Sequence, residues 1–332
     1  MAVGMKDVAQ RAGVSIKTVS NVVNGYPHIT PATKAKVTAA IAELGYRPNL
    51  FGRSLRTGRT GVIALAVPAI DNTYYAALAR AVIREAEALR WTVLVDQTEA
   101  SPERERLVLD GIRDRMIDGL LFAPRSVSAA TLADRPAEVP LVLLGDRVVD
   151  PGLDRVTVDS VAVGRAATEH LLGLGRTRVA ALGVSPEDTM AMARLSGVRQ
   201  AQEAAGLHPD QRLELPVEHW DHDSGHLAVD RLLATGADFD ALVCFNDALA
   251  LGAVHALQQA GRSIPGEVAV IGVDDVPASR FLWPPLSSVR LDKELIAHSA
   301  VTLLAERIAH PDAPVQHVTA GFEVVPRAST LG

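Results

Sequence analysis

Lys17 and Asn21 stand four residues apart, the spacing that puts two side chains on one face of a helix, and Ile16 lies beside them. Lysine suits the acceptors of guanine, asparagine the edge of adenine, and an apolar side chain the methyl of thymine, so this trio has the chemistry to read bases in a DNA major groove. A second set of polar residues is spread over the rest of the chain. Asp71-Asn72, Asp96, Asp146-Arg147, Asn246-Asp247 and Asp274-Asp275 each stand at or just past the end of a short β-rich run. In open parallel sheets, ligands bind beyond the carboxyl ends of the strands. Each of these residues can equally cap the next helix or loop; drawn from both halves of the chain, they point together to a polar cleft. A third set is His219, Asp221, His222, Asp223 and His226, in which His222 and His226 share a helical face and have the spacing of metal ligands. Asp223 and Ser224 give a simpler reading, as the N-terminal cap of a helix running to Leu233. No metal and no cofactor is assigned. The catalytic signatures are missing: Gly173-Leu174-Gly175 meets Arg178 where a dinucleotide fingerprint needs its third glycine, and there is neither a P-loop lysine nor a Gly-x-Ser-x-Gly elbow.

The elements that must hold these residues can be read from the same pattern. Lys6 to Ala12 places Val8, Ala9 and Ala12 on one helical face, and Gly13 ends that helix. Ser15 caps a second helix from Ile16 to about Val23, with Val19, Val22 and Val23 as its inward stripe and Asn24-Gly25 as its stop. Thr30 caps a third, with Pro31 at its first position, Val37, Ile41 and Leu44 inward, and Gly45 closing it. Helix, short turn with glycine, helix is the helix-turn-helix spacing. Beyond a linker at Thr57, Gly58 and Thr60, strand starts fall near Val62, Thr92, Gly119 and Leu141, and again near Val179, Arg212, Ala241 and Val268. The intervals, from about 22 to about 33 residues, are βα-unit lengths and predict two parallel α/β sheets wound alike.

Charge divides the chain at the same place. Residues 1–60 hold nine lysines and arginines against Asp7 and Glu43, a net +7, whereas the remainder carries −13 of the overall −6. A small basic module on an acidic body is the footprint of a protein that meets a polyanion with one part only. With 332 residues, 48% hydrophobic and 22% charged, the chain is long enough for a sizeable core without disulfides. Its longest apolar stretch, Val62 to Ile70, is half of a bilayer crossing. Met1 to Met5 lead straight into Lys6 and Asp7 with no apolar leader, so export is not expected. The one cysteine, Cys244, reads as a core thiol in a reducing compartment, which fits a cytoplasmic protein.

Lys6-Asp7-Val8-Ala9, Ala12-Gly13-Val14-Ser15, Thr18-Val19-Ser20, Val22-Val23-Asn24 and Leu44-Gly45-Tyr46-Arg47-Pro48-Asn49 together resemble the headpiece of the lac-repressor/GalR family of bacterial transcription regulators. The resemblance implies a DNA-binding headpiece over residues 1–48, a hinge helix and linker over 49–60, and an effector-binding, dimerising body over 61–332. The expected DNA contacts are Ser15, Ile16, Lys17, Thr18, Ser20, Asn21 and Asn24, with Asn49, Arg53 and Leu55 from the hinge, Leu55 as the wedge that enters the minor groove. Gly52 departs from the family's usual alanine, and glycine in a helix interior costs roughly 1 kcal/mol.

The resemblance continues more loosely through Asp71-Asn72 with Tyr74-Tyr75, Arg194-Leu195-Ser196-Gly197, Asn246 to Gly252, Val270 to Asp275 and Pro284 to Val289. It implies a periplasmic-binding-protein-like body of two lobes, with a boundary near 158–162 and a crossover near 286–292. By this resemblance Asp146, Arg194, Asn246 and Asp274 hydrogen-bond an effector between the lobes. Asn72, Tyr74 and Tyr75 line one wall, one of the tyrosines being as well suited to the core, and Trp220 offers an aromatic face to a ring. Such a set can satisfy the donors and acceptors of a sugar, and a nucleoside or purine is the alternative effector. The expected protein is a homodimeric, ligand-responsive repressor on a pseudo-palindromic operator. No leucine-heptad helix follows Pro326, so a tetramer is not expected. A sugar-processing enzyme and a constitutive architectural DNA-binder are the rival classes; the first lacks catalytic motifs, the second has no use for a polar cleft. A transport receptor with this body is excluded by the basic module and the missing leader.

Overall fold

The computed structural model describes residues 3–23, 26–46, 59–110, 116–135, 139–145 and 152–331, which divide into two compact units, residues 1–61 and 62–332. In the first, α1 (Met5–Ala12), α2 (Ile16–Val23) and α3 (Pro31–Leu44) enclose a core of Val8, Val19, Val37, Ala40 and Tyr46. The predicted punctuation is in place. Gly13 and Gly45 close α1 and α3 in the left-handed conformation, at φ 65° and 62°. The Ser15 hydroxyl accepts from Thr18 N at 3.0 Å, and that of Thr30 from Thr33 N at 3.3 Å. Asn24, Asn49, Gly52, Arg53 and Leu55 lie outside the described residues, as does the expected hinge helix.

The second unit holds two six-stranded sheets. Strands β1 (Val62–Val67), β2 (Thr92–Gln97), β3 (Gly119–Phe122), β4 (Leu141–Leu144) and β5 (Asp154–Val158) alternate with α4 (Thr73–Ala88), α5 (Pro102–Leu109) and α6 (Ala129–Ala133). The chain then passes to the second sheet through α7 (Ser160–Gly173), β6 (Val179–Val184), α8 (Thr189–Ala204), β7 (Glu214–Pro216), α9 (His222–Ala234), β8 (Ala241–Cys244), α10 (Asp247–Gln259), β9 (Ala269–Val273) and β10 (Ser287–Leu291). It returns: α11 (Lys293–Ala309) packs on the first sheet, β11 (His317–Ala320) joins that sheet beside β5, and β12 (Phe322–Val325) crosses back to pair with β10. The orders are β11-β5-β4-β3-β1-β2 and β12-β10-β9-β8-β6-β7.

Two details correct the sequence reading. The sheets are parallel except at one edge, where β12 runs antiparallel to β10, with Val289 opposite Val324; β12 follows β11 across Gly321 alone, although the two strands belong to different sheets. The cap of α9 is Asp221, which accepts from Ser224 N at 2.8 Å, and Asp223 sits inside the first turn. A carboxylate in the position just before the helix is placed to accept from the free N–H groups of its first turn.

Near-continuous apolar strands, such as Val62–Val67 and Ala269–Val273, are buried because helices cover both faces of each sheet. Among the helices, α7 and α8 approach so closely that a Cβ on Gly197 would stand 2.0 Å from the Val161 carbonyl oxygen, and one on Gly164 2.1 Å from that of Arg194. Cys244 is fully buried, and burial holds its thiol well above the usual range. No helix among the described residues is long and apolar enough to cross a membrane.

Candidate ligand cleft and nucleic-acid interface

In the first unit, the N-terminal half of α2 is the exposed edge. Ile16 is 50% exposed although large and apolar, and Lys17 is exposed beside it. Asn21 is partly buried. Ser15 and Thr18 are tied to each other, hydroxyl to hydroxyl at 2.9 Å, which leaves them acting as the helix cap. Ser20, one of the expected DNA contacts, is 4% exposed and shares the inward side of α2 with Val19.

In the second unit, a cavity of about 750 Å³ opens between the carboxyl ends of the two sheets. From the first sheet's side it is lined by Asn72, Tyr74, Tyr75 and Arg125, and from the second's by Arg194, Trp220 and Asp274. All but Arg194 stand in loops or at a helix start beyond strand ends, the placement expected of an open α/β sheet, and Arg194 reaches in from the second turn of α8. Asn72 caps α4, its Oδ1 accepting from Tyr74 N at 2.9 Å, and so sets the two tyrosines at the start of that helix, their rings edge to face with centroids 5.1 Å apart. Burial pushes the Tyr75 phenol above its ordinary value.

Arg194 projects from α8 and is 4% exposed. It donates to the Phe245 carbonyl and holds its guanidinium 5.2 Å from the centre of the Trp220 ring, while its Nε has no hydrogen-bond partner. Trp220 is fixed in turn. Its Nε1 donates to the Gly183 carbonyl at 3.1 Å, and its ring meets Phe245 at 6.1 Å. Gly183 has φ 121°, and a Cβ there would strike Phe245 at 2.7 Å, so only glycine permits this seat.

Asp274 sits at φ 108°, a conformation that Asp and Asn tolerate better than other side chains, and its main-chain N–H donates to Val289 O at 2.9 Å. Its carboxyl is pushed up to about 7, chiefly by burial, with Asp247 adding to the rise and Arg194 and Lys293 opposing it. Lys293, from the start of α11, donates to the Asp274 carbonyl and lies 5.8 Å from the Tyr74 ring centre.

The strand-end residues thus divide into those that reach the cavity and those that build its floor. Asn246 belongs to the second group and not, as expected, to the ligand contacts. It is 3% exposed, with Oδ1 accepting from Leu249 N at 2.8 Å and Nδ2 donating to the Trp220 carbonyl at 3.1 Å. Helix capping has taken its side chain, and its service to the cleft is to position Trp220. Asp247 is buried against Val276 N, Ser279 and Ser288 at 2.6–2.8 Å. Asp275 is paired with Arg290 and Arg327 at 2.7 and 2.6 Å. Although burial pushes its carboxyl up, the two arginines outweigh that and hold it below the usual range. Asp146 lies outside the described residues.

Arg125 was missed. It follows β3, and its partner Asp188 follows β6, two of the three predicted runs whose ends are not read for polar residues; the strand-end rule applied to them finds both. Among the described residues no group of three His, Cys, Asp or Glu is arranged to hold a metal. His226 pairs with Asp230 at 3.2 Å and its ring stacks obliquely on His255.

Comparison with known proteins agrees with both units. Residues 4–49 match the family model "Bacterial regulatory proteins, lacI family", and residues 168–330 match "Periplasmic binding protein-like domain". The chain is 33% identical to the ribose operon repressor of Escherichia coli (strain K12), covering 92% of this chain and 93% of that protein. It is 31% identical to the HTH-type transcriptional repressor PurR of Aliivibrio fischeri (strain MJ11), covering 98% of each. The structure of the lac repressor dimer bound to operator and the anti-inducer ONPF superposes with a TM-score of 0.87 at 26% identity, covering all of both chains.

Proposed function

Because this chain belongs to the lacI family of bacterial regulatory proteins, we propose that it is a cytoplasmic, homodimeric repressor whose affinity for a roughly palindromic operator is set by a small neutral polyhydroxylated molecule between the lobes of its body. Residues 1–48 act as the DNA-reading headpiece, 49–60 as hinge and linker, and 61–332 as the ligand-binding and dimerising body. A single helix-turn-helix reads one half-site, so a two-fold dimer is what a palindromic site requires.

The observation that carries the ligand reading is the composition of the cleft around Trp220. An aromatic ring, a buried arginine and a buried carboxyl stand together in one cavity. Of the two guanidiniums near the ring, Arg125 is paired with Asp188, and Arg194 faces Asp274, whose carboxyl burial pushes up to about 7. Hydroxyl groups can both donate to the Asp274 carboxyl and accept from Arg194, and a neutral polyol offers both roles while presenting a ring or chain face to Trp220. The name of the ribose operon repressor agrees with a sugar. A flat heterocycle is the second reading, favoured by the three aromatic side chains on the cavity wall.

A thermal-shift screen of the full chain against pentoses, hexoses, disaccharides, nucleosides and purine bases separates the two. A ligand at 100 times its Kd stabilises by about 2.7 kcal/mol, an easily read change in Tm. Stabilisation by a sugar and by no purine supports the first reading; the reverse establishes the second.

A further inference from the structure

Arg125 leaves the first sheet's lobe at the end of β3 and reaches the second. Its Nη2 is 2.6 Å from Oδ2 of Asp188, the residue that caps α8, and its guanidinium lies 5.5 Å from the centre of the Trp220 ring. Both partners belong to the other lobe. The pair is sheltered, with side chains 22% and 5% exposed, so it is screened less than a surface ion pair. The base of this arm is also fixed. Glu105, fully buried on α5, accepts from the main-chain N–H groups of Arg125, Ser126 and Val127 at 2.6, 2.8 and 2.8 Å, and the Ser126 hydroxyl donates to the Ala100 carbonyl. An arginine on a loop clamped by three N–H donors is aimed before it meets its partners. Asp188 is clamped likewise, its Oδ1 taking Met190 N and Ala191 N at 2.9 and 3.2 Å. Two rigid bases joined by one ion pair make a contact that is lost when the lobes turn apart.

We infer that Arg125 is an interlobe latch: its guanidinium holds the lobes together through Asp188 and Trp220, and a ligand that takes the Trp220 face competes with it for that ring. Ligand occupancy is thereby coupled to lobe angle. This coupling rests on the ligand-cleft reading above, whereas the latch itself can be tested without ligand.

The test uses the full chain carrying Arg125→Gln or Arg125→Lys. Asp188 is left alone because it caps α8. Hydrogen exchange, with no ligand added, reads the segments 123–128 and 186–192. Acrylamide quenching of Trp220, in a background with Trp91 and Trp283 replaced by Phe, reads access to the ring. The latch predicts that R125Q raises exchange in the 186–192 segment at least about fivefold and increases quenching, and that R125K, which keeps the charge, restores most of both. R125Q matching the unsubstituted chain in the 186–192 segment and in quenching overturns it, and so does R125K behaving as R125Q does in a well-folded protein. In a second arm, calorimetric titration with D-ribose is predicted to give roughly tenfold tighter binding to R125Q, since the ligand no longer displaces the cation. Weaker binding instead makes Arg125 a ligand contact and overturns the competition. If neither protein binds D-ribose, the sugar reading loses ribose, while the exchange and quenching results still decide the latch.

Discussion

Asp274 is the residue at which the cleft's electrostatics can be read from outside. Its carboxyl moves from 3.8 to about 7 on folding, so between those values the folded chain holds a proton that the unfolded chain has released. The stability this represents, on the order of 4 kcal/mol, is fully present below about pH 4 and is lost as the pH rises through 7. Asp247, raised to about 6 mainly by burial, contributes with the same sign. Asp274→Asn removes the first of these charges and keeps the shape, and asparagine tolerates the positive φ. Its Tm is expected to fall less than that of the unsubstituted chain between pH 6 and pH 8.5, making the variant the more stable of the two at the upper end. Equal slopes in the two pH–Tm curves contradict the assignment. On α2, Lys17→Ala is expected to relax base preference at one position in each half-site, at about 1–3 kcal/mol per lost contact. Operator selections read this directly, and a uniform loss on every sequence makes Lys17 a phosphate contact instead. Single residues of the cleft were only partly legible in the sequence. Arg194, Trp220 and Asp274 reach the cavity, but Asn246 shows why a polar residue past a strand is ambiguous: the first N–H groups of the next helix compete for its side chain, and they win here at 2.8 Å.

At the scale of elements, legibility was high wherever the pattern was periodic. The runs beginning at Val62, Thr92, Gly119, Leu141, Val179 and Ala241 are strands starting at those residues. Except in the edge strand β2, which is only partly buried, their apolar character follows from burial on both faces, which leaves a signal strong enough to read without tertiary knowledge. The segment after α11 is different. β11 and β12 are four residues each and lie on opposite sides of Gly321 in different sheets, so their partners are set by where the chain is when it ends and not by their own composition. Elements also carry the site. The α7–α8 contact through Gly164 and Gly197 places Arg194, one helical turn before Gly197, against the cavity. Gly197→Ala puts a methyl into the Val161 carbonyl, and its relief requires α8 to move outward with Arg194. Overpacking of this kind costs about 1–3 kcal/mol. The expected result is a lowered denaturation midpoint together with weakened ligand binding, whereas Gly173→Ala, with open space at its Cβ, is expected to change neither. Equal effects at the two glycines, measured by urea titration, contradict the close-approach account.

At the scale of the whole molecule, the account joins a basic unit of net +7 to an acidic two-lobed body. The basic unit supplies affinity for the polyanion, and the body supplies the response, because two lobes around one cavity have an angle that a ligand can bias. Coupling between them runs through the segment from 49 to 60, the only covalent connection between the two. The central claim is that operator binding by the first unit depends on occupancy of the cleft in the second. The most direct measurement is a fluorescence-anisotropy titration of the full chain onto a palindromic duplex selected from random sequence, at one fixed salt concentration. It is run with and without the molecule found by thermal shift, for the unsubstituted chain and for Arg194→Ala. The account predicts operator affinity in the 10⁻⁸ to 10⁻¹¹ M range, roughly, and a shift of about tenfold or more when the ligand is added. For Arg194→Ala it predicts nearly the same affinity for the operator and no shift. An Arg194→Ala protein that responds to the ligand as the unsubstituted chain does, or an unsubstituted chain whose operator affinity is the same with the cleft filled, contradicts it.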